Sequence, residues 1–340
     1  TGHTGFKGSW LSLTLKNLGA SVFGYSLKED TKPSNFKILK LKDKINSTYG
    51  DVRNKAKFIA YLNKVKPQIL FHLAAQSLVR DSYKRPYETF STNILGTLHV
   101  LEYSRFSKSL KSVVIITSDK CYKNKELIKG YSEQDELGGD DPYSASKASA
   151  ENIFHAYNKS FFIHKRHLGI ATARAGNVIG GGDWSKNRII PDCVRSIANK
   201  KDLVIRSPFS IRPWQHVLEP ISGYLKLSIN LYKDHKKFSS SWNFGPNLGK
   251  TYTVKNVINI FLKELNENKK IIIKKNSSFK ETITLKLSCK KSKKLLNWRT
   301  VWNTLESIKK TSNWYKVYFD GGNIIEYTNK QINSYFKREI

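Results

Sequence analysis

Two rhythms of apolar residues alternate along this chain. Residues 68–75 (QILFHLAA) and 112–118 (SVVIITS) are continuous apolar runs bounded by polar residues, the pattern of strands covered on both faces. Residues 20–25 and 169–175 read as further strands. Between them, apolar residues recur at helical spacing. In 6–18 they are Trp10, Leu11, Leu15 and Leu18, with Gly19 to end the helix; 86–106 and 143–161 are longer helices, the second entered through Pro142. Strand, helix, strand, helix predicts an α/β fold with a doubly wound parallel sheet and right-handed crossovers. After Asn177 the pattern becomes irregular, through Gly180-Gly181-Gly182-Asp183-Trp184 into short mixed elements. A first domain over 1–176 is therefore expected, with 177–340 forming mainly a smaller second one, some of whose segments return to the first.

Composition narrows the class. The 340 residues, 39 % hydrophobic and 12 % aromatic, suffice for about two domains with a sizeable core. No apolar stretch approaches the roughly 18 residues of a membrane helix. Cys121, Cys193 and Cys289 stand far apart with no CxxC pair, which disfavours a disulfide framework or a metal site and points to a reducing, cytoplasmic compartment. The 59 Lys and Arg against 27 Asp and Glu give a charge of +32. Most of the excess is Lys spread along the chain, without a recognition helix or RNA-binding signature, so the expected partner is a small anion such as a nucleotide rather than specific nucleic acid.

The chemistry begins with Gly2, Gly5 and Gly8 opening a helix. Glycines so spaced allow a tight turn, close approach to a pyrophosphate and helix-on-sheet packing, while the helix N-terminus offers free N–H groups. Phe6 lies within this turn. No apolar run precedes the glycines, so the central strand that such a turn follows is expected to be missing, leaving its neighbours short of backbone partners and the chain poorly folded. The place of the usual ribose-binding acid holds Ser26-Leu27-Lys28. That position therefore does not separate NAD from NADP. Asp51-Val52 is either an adenine contact or a loop and helix-cap pair.

A second constellation joins Thr117-Ser118-Asp119-Lys120, ending a strand, to Tyr143-Ser144-Ala145-Ser146-Lys147, opening a helix. Spacing of four puts Tyr143 and Lys147 on one helix face, where the ammonium favours the phenolate and makes Tyr143 a proton acceptor. Ser118 is placed to share a substrate hydroxyl with Tyr143. Asp119 and Lys120 add an acid and an amine at the strand end, where α/β sheets bind ligands.

The set TGHTGFKG, HLAAQS, TSDKCY, DPYSASK and ARAGNVIGGGDW, with RPWQHV, WNFGP and LLNW further on, resembles the extended short-chain dehydrogenase/reductases, within them the nucleotide-sugar 4,6-dehydratases. The Asp-Lys pair is similar to the CDP-glucose branch. The resemblance implies NAD held across hydride loss from C4 and return to C6 of CDP-glucose, with water eliminated in between. It implies that Tyr143 takes the C4 hydroxyl proton, Ser118 orients that oxygen and Lys147 binds the nicotinamide ribose. It implies further that Lys120, or a water it activates, takes the C5 proton, that Asp119 protonates the departing C6 hydroxyl, and that Ala74, Ala75 and Gln76 line the cofactor site, although core packing accounts equally for the alanines. Asn177, Arg188, Arg212 and His216 resemble sugar-nucleotide ligands, with a surface role open for Arg188. A homodimer paired through the 86–106 and 143–161 helices is also implied. An epimerase or another nucleotide-sugar dehydratase is the alternative enzyme, and an NAD-retaining nucleic-acid-binding protein the alternative of another class.

Overall fold

The computed structural model describes residues 1–339 apart from 128, 165–166, 248, 250 and 275–284. Its strands are β1 (Phe23–Ser26), β2 (Asn46–Tyr49), β3 (Ile69–His72), β4 (Ser112–Ile116), β5 (Gly169–Arg174), β6 (Val178–Ile179), β7 (Leu203–Ile205), β8 (Gln215–His216), β9 (Ser241–Asn243) and β10 (Ile271–Ile273). The apolar runs become the central sheet, ordered β3-β4-β5-β9 and parallel throughout. Every residue of β4 and β5 is buried, as strands sandwiched between helices must be. Register runs from Ser112 opposite Gly169 to Ile116 opposite Ala173. β1 and β2 form a separate parallel pair. Thr1 and Gly2 lie between β1 and β3: the Gly2 N–H donates to Tyr25 O at 3.0 Å and the Thr1 ammonium to Phe71 O at 2.7 Å.

Helices follow the expected spacing. Phe6–Asn17 leads out of the glycine turn. The predicted 86–106 helix is observed as Pro86–Phe90 and Gly96–Phe106 joined by a π turn, Ser91–Leu95. Pro142–Tyr157 starts with Pro142 in its first turn, and the Asp141 carboxylate caps it by accepting from the Ser144 N–H at 2.9 Å. Beyond Asn177 the elements are short: β6 pairs with β8 and β7 with β10, each in parallel. β9 returns to the central sheet beside β5. Among the described residues no helix is long and apolar enough to cross a membrane.

One core crosses the chain's full length. Trp10, Leu11 and Leu13 pack with Trp214, Val217, Trp302, Trp314 and Tyr315, and Trp10 Nε1 donates to Gly181 O at 2.9 Å. A buried carboxylate ties its far side. Glu219 accepts from Tyr335 OH at 2.7 Å and from the Trp302 and Val301 N–H groups at 2.8 and 3.1 Å.

Burial raises Glu219 to about 7, above its ordinary 4.5, against the pull of those three donors. A raised folded-state pKa gives stability that is complete below about 4.5 and lost as pH rises through about 7. Relative to Glu219→Gln, the chain is expected to lose on the order of 3 kcal/mol across that window. Urea titrations of both chains at pH 4.5 and 7.5 check this; parallel pH profiles overturn it.

Candidate active site

β4 and β5 end side by side, and the residues just beyond them meet the first turn of the Pro142–Tyr157 helix. Ser118, Asp119, Tyr143 and Lys147 are all buried there. Lys120 is half-buried. Ser118 leaves β4 in extended conformation and its Oγ accepts from the Lys120 N–H at 3.2 Å, which starts a one-turn 3₁₀ helix over Asp119–Cys121. The Ser118 hydroxyl donates to Asp119 Oδ1 at 3.1 Å. Asp119 Oδ2 has no hydrogen-bond partner among the described residues. Gly176, just past β5, makes room for this carboxylate, because a Cβ there would lie 1.7 Å from Asp119 Oδ2.

Burial dominates the electrostatics. It raises Asp119 above the usual carboxylate range, against Lys120, the Ser118 hydroxyl and Arg212. It pushes Tyr143 up to about 12, while a Ser118 hydrogen bond and the Arg188 charge pull it back. Lys147 falls to about 8 through burial, opposed by Glu151 and Cys121, and its Nζ donates to Ile116 O at 3.2 Å. The Lys147 ammonium therefore reaches a strand carbonyl, and the cation felt by the Tyr143 phenol is Arg188.

The glycine turn borders this cluster. Gly2 has φ +72°, and a Cβ on it would lie 2.7 Å from the Ala74 nitrogen; one on Gly8 would lie 2.0 Å from Gly2 O. Only glycine fits at either place. The first turn of the Phe6–Asn17 helix has neither a side-chain cap nor an acidic residue, so its leading N–H groups are available to an anion. Phe6 is half-buried against the main core. The Ala74 N–H donates to Thr1 Oγ1 at 3.1 Å, and Ala74 and Ala75 are half-buried beyond the end of β3. Gln76 is held by Asn93, which accepts from its N–H at 2.9 Å and donates to its carbonyl at 3.1 Å.

The remaining candidates separate. Arg188 pairs with Asp183 at 3.1 Å and acts on both Tyr143 and Lys7, and Arg212 acts on Asp119, so both belong to the cluster's electrostatic surroundings. Asn177 follows directly after Gly176 with φ +43°. Asp51 is engaged by Arg53, accepting from its N–H at 2.9 Å and its guanidinium at 2.6 Å, and Val52 is buried. His216 is not brought to the cluster. It is fully buried edge-on between Trp10 and Trp302, and burial lowers it to about 3, which keeps the ring neutral.

Three residues at the site escaped the sequence reading. Lys7 donates to Tyr224 OH at 3.3 Å and is lowered to about 7 by burial, Arg188 and Lys147. Asn93 also donates to Ser146 Oγ at 2.8 Å, joining the Gln76 loop to the Tyr143 helix. Glu151 lies one turn beyond Lys147. The four-residue repeat Tyr143, Lys147, Glu151 was a usable signal for the last; the π turn that aims Asn93 left no pattern.

The sequence profile of the GDP-mannose 4,6 dehydratase family matches residues 1–311. The chain belongs to this family. It is 44 % identical over 339 residues to a CDP-glucose 4,6-dehydratase of Salmonella typhimurium, covering 98 % of this chain and 94 % of that protein. Among solved structures it resembles a UDP-glucose 4-epimerase of Thermotoga maritima (TM-score 0.81, 19 % identity, 94 % and 98 % of the two chains). It also resembles a dTDP-glucose 4,6-dehydratase of Bacillus anthracis in complex with NAD (TM-score 0.75, 20 % identity, 95 % and 97 %). These likenesses establish the extended short-chain dehydrogenase/reductase fold for this member of the dehydratase family.

Asn93→Ala removes the partner of the half-buried Gln76 N–H and carbonyl and one donor to Ser146 Oγ, which keeps its bond to Tyr143 O, and a loss of about 1–3 kcal/mol is expected in chemical denaturation. A loss below about 0.5 kcal/mol shows that these groups find other partners.

Proposed function

We propose that the chain is an NAD-dependent 4,6-dehydratase converting CDP-glucose to CDP-4-keto-6-deoxyglucose and water. The observation that carries this is the meeting of Ser118, Asp119 and Lys120 with Tyr143 and Lys147 at one strand end. Near-full-length identity to a CDP-glucose 4,6-dehydratase supports the sugar nucleotide.

NAD fits the glycine turn, whose missing side chains and open helix end suit a pyrophosphate. When bound, it accepts hydride from the sugar C4 and returns it to C6. Residues 1–176 hold this group, Gly2, Gly5, Phe6 and Gly8 at the turn, Ala74, Ala75 and Gln76 beside it and Asp51-Val52 toward the adenine. Residues 177–340 mainly hold the sugar nucleotide, with the Arg188 and Arg212 guanidinium groups suited to its diphosphate and Asn177 beside them.

Each proton has a carrier. Tyr143 removes the C4 hydroxyl proton while Ser118 orients the oxygen, the Arg188 charge offsets the phenolate that burial otherwise disfavours, and Lys147 binds the nicotinamide ribose. The new C4 ketone acidifies C5, and the Lys120 amine takes the C5 proton and gives it back to C5 as the hydride returns to C6. Asp119, kept protonated more readily by its burial, delivers its proton to the departing C6 hydroxyl through the unpartnered Oδ2. Free buried thiols at Cys121, Cys193 and Cys289 suit a reducing cytoplasm. The exposed Tyr87, Leu95, Phe106 and Phe161 suit a homodimer closed through the helices that carry them.

Incubated with NAD and separately with CDP-, dTDP-, GDP- and UDP-glucose, the chain is expected to release water from CDP-glucose alone, read as a 4-keto-6-deoxy product by mass. Turnover of another nucleotide removes the base assignment; no water loss from any removes the function. Lys120→Glu is expected to slow the reaction by about 10²–10⁴-fold, and unchanged turnover would dismiss the amine's role.

A further inference from the structure

Behind the cluster lies a second set of buried polar groups that the reaction does not consume. Its centre is Glu151, 1 % exposed. The carboxylate accepts from Thr117 Oγ1 at 2.5 Å, Thr172 Oγ1 at 2.8 Å, Ser241 Oγ at 2.9 Å and Arg174 Nη2 at 2.7 Å. Those donors come from the end of β4, from β5 and from β9. Arg174 uses its other arm to donate to Tyr122 OH at 2.7 Å, and that hydroxyl donates to Asn243 Oδ1 at 2.8 Å.

We propose that Glu151 is a positioning residue of the active site, anchoring both flanks of the Ser118-Asp119-Lys120 segment and setting its carboxylate one helical turn from Lys147. The inference rests on the dehydratase reading above. The flanks are Thr117, bonded to Glu151 directly, and Tyr122, bonded through Arg174. A three-residue turn pinned at both ends keeps its acid and amine at fixed distances from Tyr143, which shares the helix with Glu151.

Charge supplies the second half. Arg174 pairs with the Glu151 carboxylate, and Lys147 stands one turn before Glu151 on the Pro142–Tyr157 helix, all three buried. Burial works against the Glu151 charge, yet Arg174 and the hydroxyl donors outweigh it and hold the carboxyl below its ordinary range. Glu151 in turn raises Lys147 against its own burial. The other ionisable groups facing that amine are Cys121 from the 3₁₀ turn, Lys7 from the Phe6–Asn17 helix and His72 from β3. Of these Lys7 and His72 are basic, so Glu151 is the carboxylate that keeps Lys147 protonated. Breaking a purely architectural ion pair lowers stability but leaves the alkaline limb of kcat in place.

The test uses Glu151→Gln, which keeps an acceptor for the hydroxyls and removes the charge. The Lys147 amine is titrated by NMR in the lysine-labelled chain, its signal assigned by its loss in Lys147→Met, and kcat and KM are followed across pH. Lys147 is expected to titrate about one pH unit or more lower, with the alkaline limb of kcat moving alike and KM changing less than about twofold. An unmoved amine in Glu151→Gln overturns the proposal. Should Glu151→Gln fail to fold, Glu151→Asp draws the carboxylate back along the same helix, and a Lys147 titration unmoved there overturns it. If no nucleotide sugar loses water on the unaltered chain, the dehydratase reading fails while the amine titration still decides what Glu151 does.

Discussion

The parallel register of β4 against β5 sets every distance at the candidate site. Five consecutive residue pairs, Ser112 with Gly169 through Ile116 with Ala173, bring the two strands to an end together. The chain then leaves β4 through Thr117, Ser118 and Asp119 and leaves β5 through Ala175, Gly176 and Asn177, so both sets of chemistry-bearing residues emerge at one edge. A slip of one residue turns each of these side chains to the opposite face of the sheet. Ser118 and Asp119 then no longer meet the Tyr143 helix, and the open end of the glycine-turn helix has no chemistry beside it.

The site is a balance of burial against charge. Asp119, Tyr143 and Lys147 are each displaced by burial toward their neutral forms, the acid and phenol upward and the amine downward. Neutral groups of this kind are poised to exchange protons with a bound sugar, provided that neighbouring charges make the ionised partners accessible when needed. Arg188, Arg212 and Glu151 are those neighbours, and they come from three separate parts of the chain.

Much of this is legible in the sequence. Apolar runs long enough to cross a sheet, as in β4 and β5, announce themselves because each residue is covered on both faces. The four-residue spacing of Tyr143 and Lys147 survives translation into a helix unchanged. What stayed hidden was set by long-range contact. β6, β7 and β8 span two or three residues each, too short for a period to show. His216 is expected as a sugar-nucleotide ligand by resemblance alone, and the two tryptophans that pack edge-on against it come from distant parts of the chain. The partners of Glu151 lie 34, 21, 23 and 90 residues away, and no local pattern connects them.

The pocket that Gly176 leaves for the Asp119 carboxylate has a bearing on how such a site can change over time. With a Cβ contact of 1.7 Å, the two positions are not free to vary in either order. A side chain acquired at 176 displaces the acid, and loss of the acid removes the group that the proposed reaction uses to protonate its leaving hydroxyl. Either change alone is selected against while that reaction is kept, so glycine and acid persist or disappear together along a lineage.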